Sequence, residues 1–285
     1  MKRESILGLP TDMRPIVTIS LIVITLLSVP PAFGEIRNIN RFLDQCPTND
    51  PALARIRGDF EIRRDGAPTT LPSCTEPVPQ MPSNAYTDEL MLLQALRVVY
   101  YMDQGMSGHL PWTPGDLYDW MKSKVGGINI ISSGGGPSCC TTIDGRPFIN
   151  IGAHDDATRE FQKKWIYLSV IVAVYAHEAR HVDGFPHSSC CGATNGCDDT
   201  FDQANLSPYG LQWWLNKLWL DGTIDVGIGC EPPADLSDSA SFFLAQVNTT
   251  FPPRFCAIRP PVASMPSIPG GVCHDASRRR AVSHR

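Results

Sequence analysis

The sequence predicts an α+β protein, in which a small mixed β-sheet is followed by a long buried helix and a disulfide-braced carboxyl-terminal part. Its 285 residues include 42% apolar and 19% charged side chains, as in ordinary globular proteins. Two β-branched runs, INII and PFINI, lie between turn-forming glycines in residues 128–152, which favours strands. The later stretch WIYLSVIVAVYA is apolar on every helical face, as expected of a helix inside a core.

The charge balance argues against a nucleic-acid partner. The chain carries 24 basic and 29 acidic side chains, which makes a formal net charge of −5. Proteins that bind nucleic acid through its phosphates present a net basic face instead. We therefore expect no nucleic-acid binding.

The first 34 residues have the pattern of a secretory signal peptide. Basic Lys2 and Arg3 precede an apolar run over residues 16–29, and small residues follow at the expected cleavage site. That run is shorter than the roughly 20 residues that span a bilayer. We expect residues 1–34 to be removed and the mature chain to be secreted or periplasmic, without stable membrane insertion. A retained membrane anchor is the alternative.

All ten cysteines follow the expected signal peptide. An even number of cysteines in an exported chain predicts up to five disulfides, and spacing alone leaves their connectivity open. The adjacent pairs Cys139-Cys140 and Cys190-Cys191 are each expected to reach two different partners, because a bridge between neighbours needs a strained backbone. A zinc site made of cysteines is disfavoured, since no C-x-x-C pair occurs.

Two segments are expected after the signal peptide. Residues 35–84 carry many prolines and two cysteines, which predicts an irregular wrapping arm or a removable pro-segment. Residues 85–285 should then form the main domain.

Four helices are predicted from capping residues and apolar periodicity. They cover residues 87–103, 117–124, 156–183 and 208–220. For the second helix we expect Thr113 at the N-cap and Pro114 at the first position. The fourth helix, capped by Ser207, holds Trp213, Trp214 and Trp219 among leucines at core spacing, which favours core packing over a carbohydrate-binding platform.

The end of the third helix carries the pattern H-E-x-x-H-x-x-G-x-x-H over residues 177–187. Residues four apart on a helix share a face, so His177 and His181 can direct imidazole nitrogens at one metal ion. Glu178 lies about 100° round the helix, where its carboxylate can touch a metal-bound water without ligating the metal. The full pattern should arise by chance in roughly 1 of 100,000 such chains, so it is strong support for a metal site.

Gly184 and Pro186 explain how a third ligand can reach the same ion. If the helix continued, His187 would lie about 15 Å along its axis from His177. Gly184 can adopt a positive φ at the helix end, and Pro186 discourages a restart, so the chain can turn back and present His187. Three protein ligands leave a fourth position for water, which is the arrangement of catalytic zinc.

This pattern resembles the metzincin clan of zinc metallopeptidases. The resemblance implies that His177, His181 and His187 bind Zn²⁺, that Glu178 is the general base, and that the substrate is a protein or peptide. It also implies a mixed sheet before the active-site helix and a methionine turn beneath the metal, for which Met265 is the candidate as the only methionine after His187. No tyrosine follows Met265 by two, and the carboxyl-terminal half departs from clan members, so no named family is assigned.

Two alternatives stay open beside the favoured prediction of a secreted zinc-dependent endopeptidase. Aspzincin peptidases share the H-E-x-x-H core but take an aspartate ligand from a downstream G-T-x-D-x-x-Y-G, and Asp198, Asp199 or Asp202 would then be the third ligand. The other alternative is a secreted, disulfide-rich structural or interaction module in which a metal only holds the fold.

Overall fold

The structure is a computed structural model that describes residues 39–74, 76–105, 110–188, 196–221 and 233–264. The predicted signal peptide and the candidate methionine-turn residue Met265 lie outside these ranges. Across the described ranges, no helix is both long and apolar enough to cross a membrane.

The described residues combine helices with a mixed five-stranded sheet, which confirms the predicted α+β class. The first elements are α1 (Ile39–Leu43), α2 (Leu53–Asp59), β1 (Glu61–Arg64), β2 (Ala67–Pro68), α3 (Asp88–Gly105) and α4 (Leu117–Lys124). The remaining strands of the sheet are β3 (Gly127–Ile131), β4 (Ser138–Ile143) and β5 (Arg146–Gly152). Helices α3 and α4 lie close to the predicted positions.

The strand order of the sheet is β2-β1-β3-β5-β4. Strands β1, β3 and β5 are parallel, while the two outer strands, β2 and β4, run antiparallel to their neighbours. The INII run forms the central strand β3, and its residues 127–130 are buried because both faces of the sheet are covered there. Strand β4 is left at one edge.

The segment that the sequence predicts as an arm, residues 35–84, contributes to the core from Ile39 onward. It supplies β1, which pairs along its whole length with β3. Ile39 and Ile56 are fully buried, and a disulfide joins Cys46 to Cys74. The many prolines lie in the connections, in 3-10 turns and in β2 rather than in α1, α2 or β1, so they do not prevent regular structure.

A chain that begins at residue 85 is therefore expected not to fold. It would lack β1, and Arg97 would lose the buried carboxylate of Asp50, which lies 2.7 Å from its Nε. Leaving a buried charge without its partner typically costs about 3–5 kcal/mol. Thermal melting followed by circular dichroism should be cooperative for residues 35–285 and not for residues 85–285. Cooperative, native-like melting of the shorter chain would contradict this expectation.

The single helix predicted over residues 156–183 is wrong, because the chain forms two helices there. These are α5 (Asp156–Gln162) and α6 (Trp165–Val182). The backbone at Lys164 is extended, with φ −96° and ψ 143°. Helix α5 buries none of its residues, whereas α6 begins with a Trp165 that is 1% exposed. The change of direction lets the apolar segment enter the core while the polar one stays at the surface.

A smaller correction concerns the start of α4. The predicted cap, Thr113, is not used, and the N-cap is Asp116. The Asp116 carboxylate accepts a hydrogen bond from the backbone N–H of Asp119 at 2.9 Å. The first turn therefore begins three residues later than Thr113 suggested, although the helix bounds of 117–124 are as predicted.

The described carboxyl-terminal part adds two strands and two α-helices, of which the helices pack against α6. These elements are β6 (Asp198–Thr200), α7 (Pro208–Leu220), α8 (Pro233–Ala245) and β7 (Phe255–Ile258), with β6 and β7 paired in parallel. In α7, which has the predicted bounds, Trp213 and Trp219 are at most 3% exposed. The Trp219 ring meets Trp165 of α6 edge to face, with centroids 5.3 Å apart. This confirms core packing for Trp213 and Trp219, while the third tryptophan of α7, Trp214, is partly buried against the same core.

The described disulfides are Cys46–Cys74 and Cys139–Cys140. Cys139 and Cys140 therefore bond to each other, and the prediction that they reach separate partners is wrong. They lie in β4 between Ser138, which pairs with Asn150 of β5, and Thr141, which pairs with Phe148. The chain advances three residues along β4 but only two along β5 between these pairs. This β-bulge frees the backbone from regular strand geometry, which is what a bridge between neighbours requires. Cys256, in the carboxyl-terminal part, is disulfide-bonded as well.

Candidate metal centre

The end of α6 turns back on itself, as the sequence predicts. Gly184 has a φ of +83°, and its N–H donates to the His181 carbonyl at 3.0 Å. An αL glycine at this place ends the helix and redirects the chain. His187 is thereby brought back to His177, and their Nε2 atoms lie 3.1 Å apart.

His177, His181 and His187 form a group that could hold a metal ion. One nitrogen from each lies within 4.8 Å of the other two. Two nitrogens bound to a tetrahedral zinc at 2.0–2.1 Å are separated by about 3.3 Å, close to the distance between the Nε2 atoms of His177 and His187. Within the described part of the chain, no carboxylate or thiol belongs to this group. The donor set fits an ion with a coordination position left open.

Each of these histidines has its Nδ1 next to an oxygen. The pairs are His177 with the side chain of Gln212 (3.0 Å), His181 with the carbonyl of Phe185 (2.6 Å) and His187 with the carboxylate of Asp198 (3.2 Å). Carbonyl and carboxylate oxygens accept hydrogen bonds, so each Nδ1 carries the hydrogen and each Nε2 keeps its lone pair. This tautomer allows all three histidines to bind a metal through Nε2.

Burial keeps two of the histidines neutral. It lowers the pKa of His177 to about 3, and the nearby His181 and His187 act in the same direction. Burial also lowers the pKa of His181. Neutral imidazole is the form that coordinates a metal, so protons do not compete strongly for these two ligands at neutral pH.

Asp198 links His187 to the start of α7. Its side chain is 2% exposed, and its Oδ2 accepts hydrogen bonds from the Ser207 hydroxyl at 2.5 Å and the Tyr209 N–H at 2.8 Å. Burial raises the pKa of this carboxyl, but the hydrogen bonds from His187, Ser207 and Tyr209 outweigh burial and the pKa is lowered. A charged carboxylate behind a ligand orients the imidazole and makes it a better donor.

The aspartates considered as alternative third ligands do not join the metal-binding group. Asp198 approaches Nδ1 of His187, the side away from the other two histidines. Asp202 is exposed and accepts a hydrogen bond from the backbone N–H of Ala204 at 2.9 Å, as in a local turn. The aspartate-ligand alternative therefore has no support in the geometry.

Arg180 occupies one of the x positions of the H-E-x-x-H motif, where any residue is allowed. Its contacts hold the loop that carries His187. Its guanidinium lies between the rings of Phe185 and Trp112, 3.9 Å and 4.5 Å from their centroids. It also donates to the carbonyl of Leu206, just before α7, at 2.7 Å. Sequence reasoning missed this residue, because an arginine near a helix end is ordinarily a solvated charge.

Glu178 lies beside the histidines in an open cleft of ≈ 890 Å³. The cleft is lined by Cys139 of β4 on one side and by Tyr209 of α7 on the other. Burial raises the pKa of Glu178 to about 7, although His187 and a hydrogen bond from the Cys139 backbone act in the opposite direction. A carboxyl with a pKa near 7 is suited to take up and release a proton at neutral pH.

Tyr209 also belongs to this site, which sequence reasoning did not predict. Its ring stacks on His187 with centroids 4.6 Å apart and an interplanar angle of 23°. It meets the His177 ring edge to face at 4.7 Å. The sequence marks Tyr209 only through Tyr209-Gly210, an imperfectly spaced match to the end of the aspzincin pattern, and that match does not predict stacking on a histidine.

Replacing Glu178 by glutamine should stabilise the metal-free protein at pH 8 but not at pH 5. The pKa of Glu178 is about 7 in the folded protein, compared with 4.5 for an ordinary glutamate. Between pH 4.5 and pH 7 the carboxyl is therefore protonated in the folded state and ionised in the unfolded state. Wild-type stability is therefore lost as the pH rises from about 4.5 to about 7, and by pH 8 the loss amounts to about 3 kcal/mol. Glutamine has no charge to bury. Melting of both proteins at pH 5 and pH 8 measures this, and an equal gain at both pH values would refute it.

Gly184→Ala is expected to weaken metal binding although it removes no ligand. A Cβ at Gly184 would meet no atom within 4 Å, so the cost lies in the φ of +83°. Such a conformation costs a non-glycine residue about 1–2 kcal/mol, which corresponds to roughly a 10-fold loss of affinity. Gly115→Ala is the matched control, because its Cβ also meets open space and its φ is not positive. Zinc titration calorimetry that gave equal affinities for the two variants would contradict this explanation.

No family model, curated protein or solved structure matches this chain. No family is therefore assigned. In the eleven residues from His177 to His187, the three histidines lie together and Gly184 has a positive φ.

Proposed function

We propose that the protein is an exported, zinc-dependent endopeptidase of metzincin-like character. The observation that carries this proposal is the group of three histidines beside the buried carboxylate of Glu178 in an open cleft. Structural zinc sites usually close with four protein ligands, whereas this group offers three. An ion held there would keep a position for water and substrate.

The chemistry follows from the residues around the cleft. A zinc ion bound by the three histidines would polarise the scissile carbonyl and lower the pKa of a water molecule to about 7. Glu178 takes a proton from the attacking water and delivers it to the leaving amine. Asp198 and Gln212 keep the imidazoles of His187 and His177 in the orientation that ligation needs.

The cleft suits an extended peptide. Its volume of ≈ 890 Å³ lies at the upper end of the range for ligand sites. One wall is the edge strand β4, and edge strands pair with extended segments of other chains through their backbone groups. We therefore favour a protein or peptide substrate over a small molecule.

Export is part of the same proposal. It is supported by the signal-peptide pattern of residues 1–34 and by the disulfides Cys46–Cys74 and Cys139–Cys140. The mature chain would act in a secreted or periplasmic setting, on protein substrates, without a nucleic-acid partner.

A proteolysis assay tests the proposed function. The mature chain is incubated with a denatured protein of broad sequence, with and without a zinc chelator, and the products are mapped by mass spectrometry. We expect cleavage that disappears with the chelator and returns when zinc is added. If zinc raises the melting temperature of the chain but no substrate is cleaved, the protein is a metal-binding structural module instead.

A further inference from the structure

Regular secondary structure fixes His187 less than the other two histidines of the group. His177 and His181 belong to α6, whereas His187 follows Gly184 in a stretch that is neither helix nor strand. His177 is buried, but 25% of the His187 side chain is exposed. Contacts from other segments must therefore hold the His187 ring in place.

Two such segments pack directly on His187. The Tyr209 ring stacks on its imidazole, with centroids 4.6 Å apart. The backbone of Gly196 is closer still, because a Cβ added there would lie 2.9 Å from both Cβ and Cγ of His187. Only a glycine permits this approach without displacing the histidine.

Arg254 contacts both of these neighbours. Its guanidinium carbon lies over the Tyr209 ring, 4.9 Å from the centroid, which is within the range of a cation–π interaction. Its Nη1 donates a hydrogen bond to the carbonyl of Gly196 at 3.2 Å. A guanidinium can do both at once, because it is planar and carries several N–H groups. Arg254 therefore joins the two groups that pack on His187.

Strand pairing determines where Arg254 lies. The residue directly precedes β7, whose first residue, Phe255, pairs with Asp198 of β6. Gly196 is two residues before Asp198, so this pairing brings Arg254 beside it. The carboxyl-terminal strand is thus connected through Arg254 to the histidine group.

We propose that Arg254 is a positioning residue of the metal centre, which holds Tyr209 and Gly196 against His187 and so keeps this imidazole ready to ligate. The inference rests on the proposed zinc site. Arg254 is not among the residues that line the cleft, so it acts through its two partners. A ligand that is already in place loses less conformational freedom when the ion binds, and its affinity is higher for that reason.

The charge of Arg254, taken alone, predicts the opposite effect on metal binding. A guanidinium and a zinc ion repel each other, so removal of the positive charge would by itself strengthen zinc binding. Loss of the contacts to Tyr209 and Gly196 would weaken it. The sign of the change in affinity therefore separates positioning from simple electrostatics.

The test compares the zinc affinity of the mature chain with that of Arg254→Met, by competition with a chromophoric chelator. We expect roughly 10-fold weaker binding in the variant, at the lower end of the range for residues behind a ligand. Arg259→Met is the matched control, because Arg259 is an exposed arginine directly after β7, and this variant should keep the wild-type affinity. Unchanged or stronger binding in Arg254→Met, or an equal loss in Arg259→Met, would overturn the proposal.

Arg254→Lys keeps the test valid if the methionine variant does not fold, which thermal melting of each metal-free chain shows. Lysine preserves the charge, but its ammonium is a point charge that cannot both cover the ring and donate in the guanidinium geometry. This variant should also bind zinc more weakly than the wild type. Wild-type affinity in folded Arg254→Lys would overturn the proposal.

A readout without metal or turnover distinguishes failure of this inference from failure of the proposed function. Proton–carbon NMR of the metal-free chain follows the ring signals of His187, which the stacked Tyr209 ring shifts. These signals should move in Arg254→Met, while those of His154, which pairs with Asp88, should stay in place. If the wild type binds no zinc or cleaves nothing, the proposed function fails and this comparison still judges Arg254. Unmoved His187 signals in the folded variant would show that Arg254 does not position this ring.

Discussion

Glu178→Ala is expected to keep one zinc per chain and to lose nearly all turnover. The carboxylate lies in the cleft but outside the group of nitrogens that could hold a metal, so its loss would remove the proposed proton acceptor and leave those nitrogens in place. Removal of a general base commonly costs about 10²–10⁴-fold in rate. Metal analysis and kcat on the same preparation measure both effects.

Glu160→Ala is the matched control for that experiment. Glu160 is an exposed glutamate of α5 whose side chain contacts Lys163 at the surface. This variant should keep both its zinc and its turnover. Unchanged hydrolysis in Glu178→Ala would refute the mechanism, whatever its metal content.

His187→Ala is expected to lower zinc affinity sharply, whereas Asp202→Ala should leave it unchanged. His187 supplies one of the three grouped nitrogens, while Asp202 is exposed and bonds only within its own turn among the described contacts. Asp198→Ala should give an intermediate result, because loss of the carboxylate behind a ligand typically costs about 10–100-fold in metal affinity. Competition with a chromophoric chelator measures all three variants.

The relative losses of zinc affinity in these three variants distinguish a metzincin-like site, in which His187 is the third ligand, from an aspzincin-like site, in which an aspartate is. If Asp202→Ala abolished binding and His187→Ala did not, an aspartate-ligand site would be correct. A loss in Asp198→Ala as large as in His187→Ala, with a further loss in the double variant, would show that Asp198 binds the metal independently of His187.

The grouping of three histidines that could hold a metal was predictable because local chain geometry determines it. Helical spacing brings His177 and His181 together. The positive φ of Gly184 turns the chain so that His187 returns to the other two histidines. Their partners Asp198 and Gln212 come from distant segments, and a pattern confined to eleven residues contains no information about them. The one sequence signal for Gln212 is its place as a polar residue within the apolar α7, where it is 7% exposed.

The fold was predictable where elements carry their own start and stop signals. The bounds of α7 follow from its cap and its closing glycine, and the strands INII and PFINI follow from β-branching between turn residues. The role of β1 was not predictable, because its pairing with β3 depends on contacts 66 residues apart, as between Glu61 and Gly127. The break at Lys164 and the bond between Cys139 and Cys140 likewise depend on how each segment packs.

A zinc titration with simultaneous measurement of proteolysis tests the central proposal most directly. Zinc is added stepwise to metal-free mature chain, and the bound metal and the rate of peptide cleavage are recorded at each step. We predict that the rate rises in proportion to bound zinc and stops rising at one equivalent per chain. Full zinc binding without cleavage, or equal cleavage by the metal-free and the loaded chain, would contradict a zinc peptidase built on His177, His181 and His187.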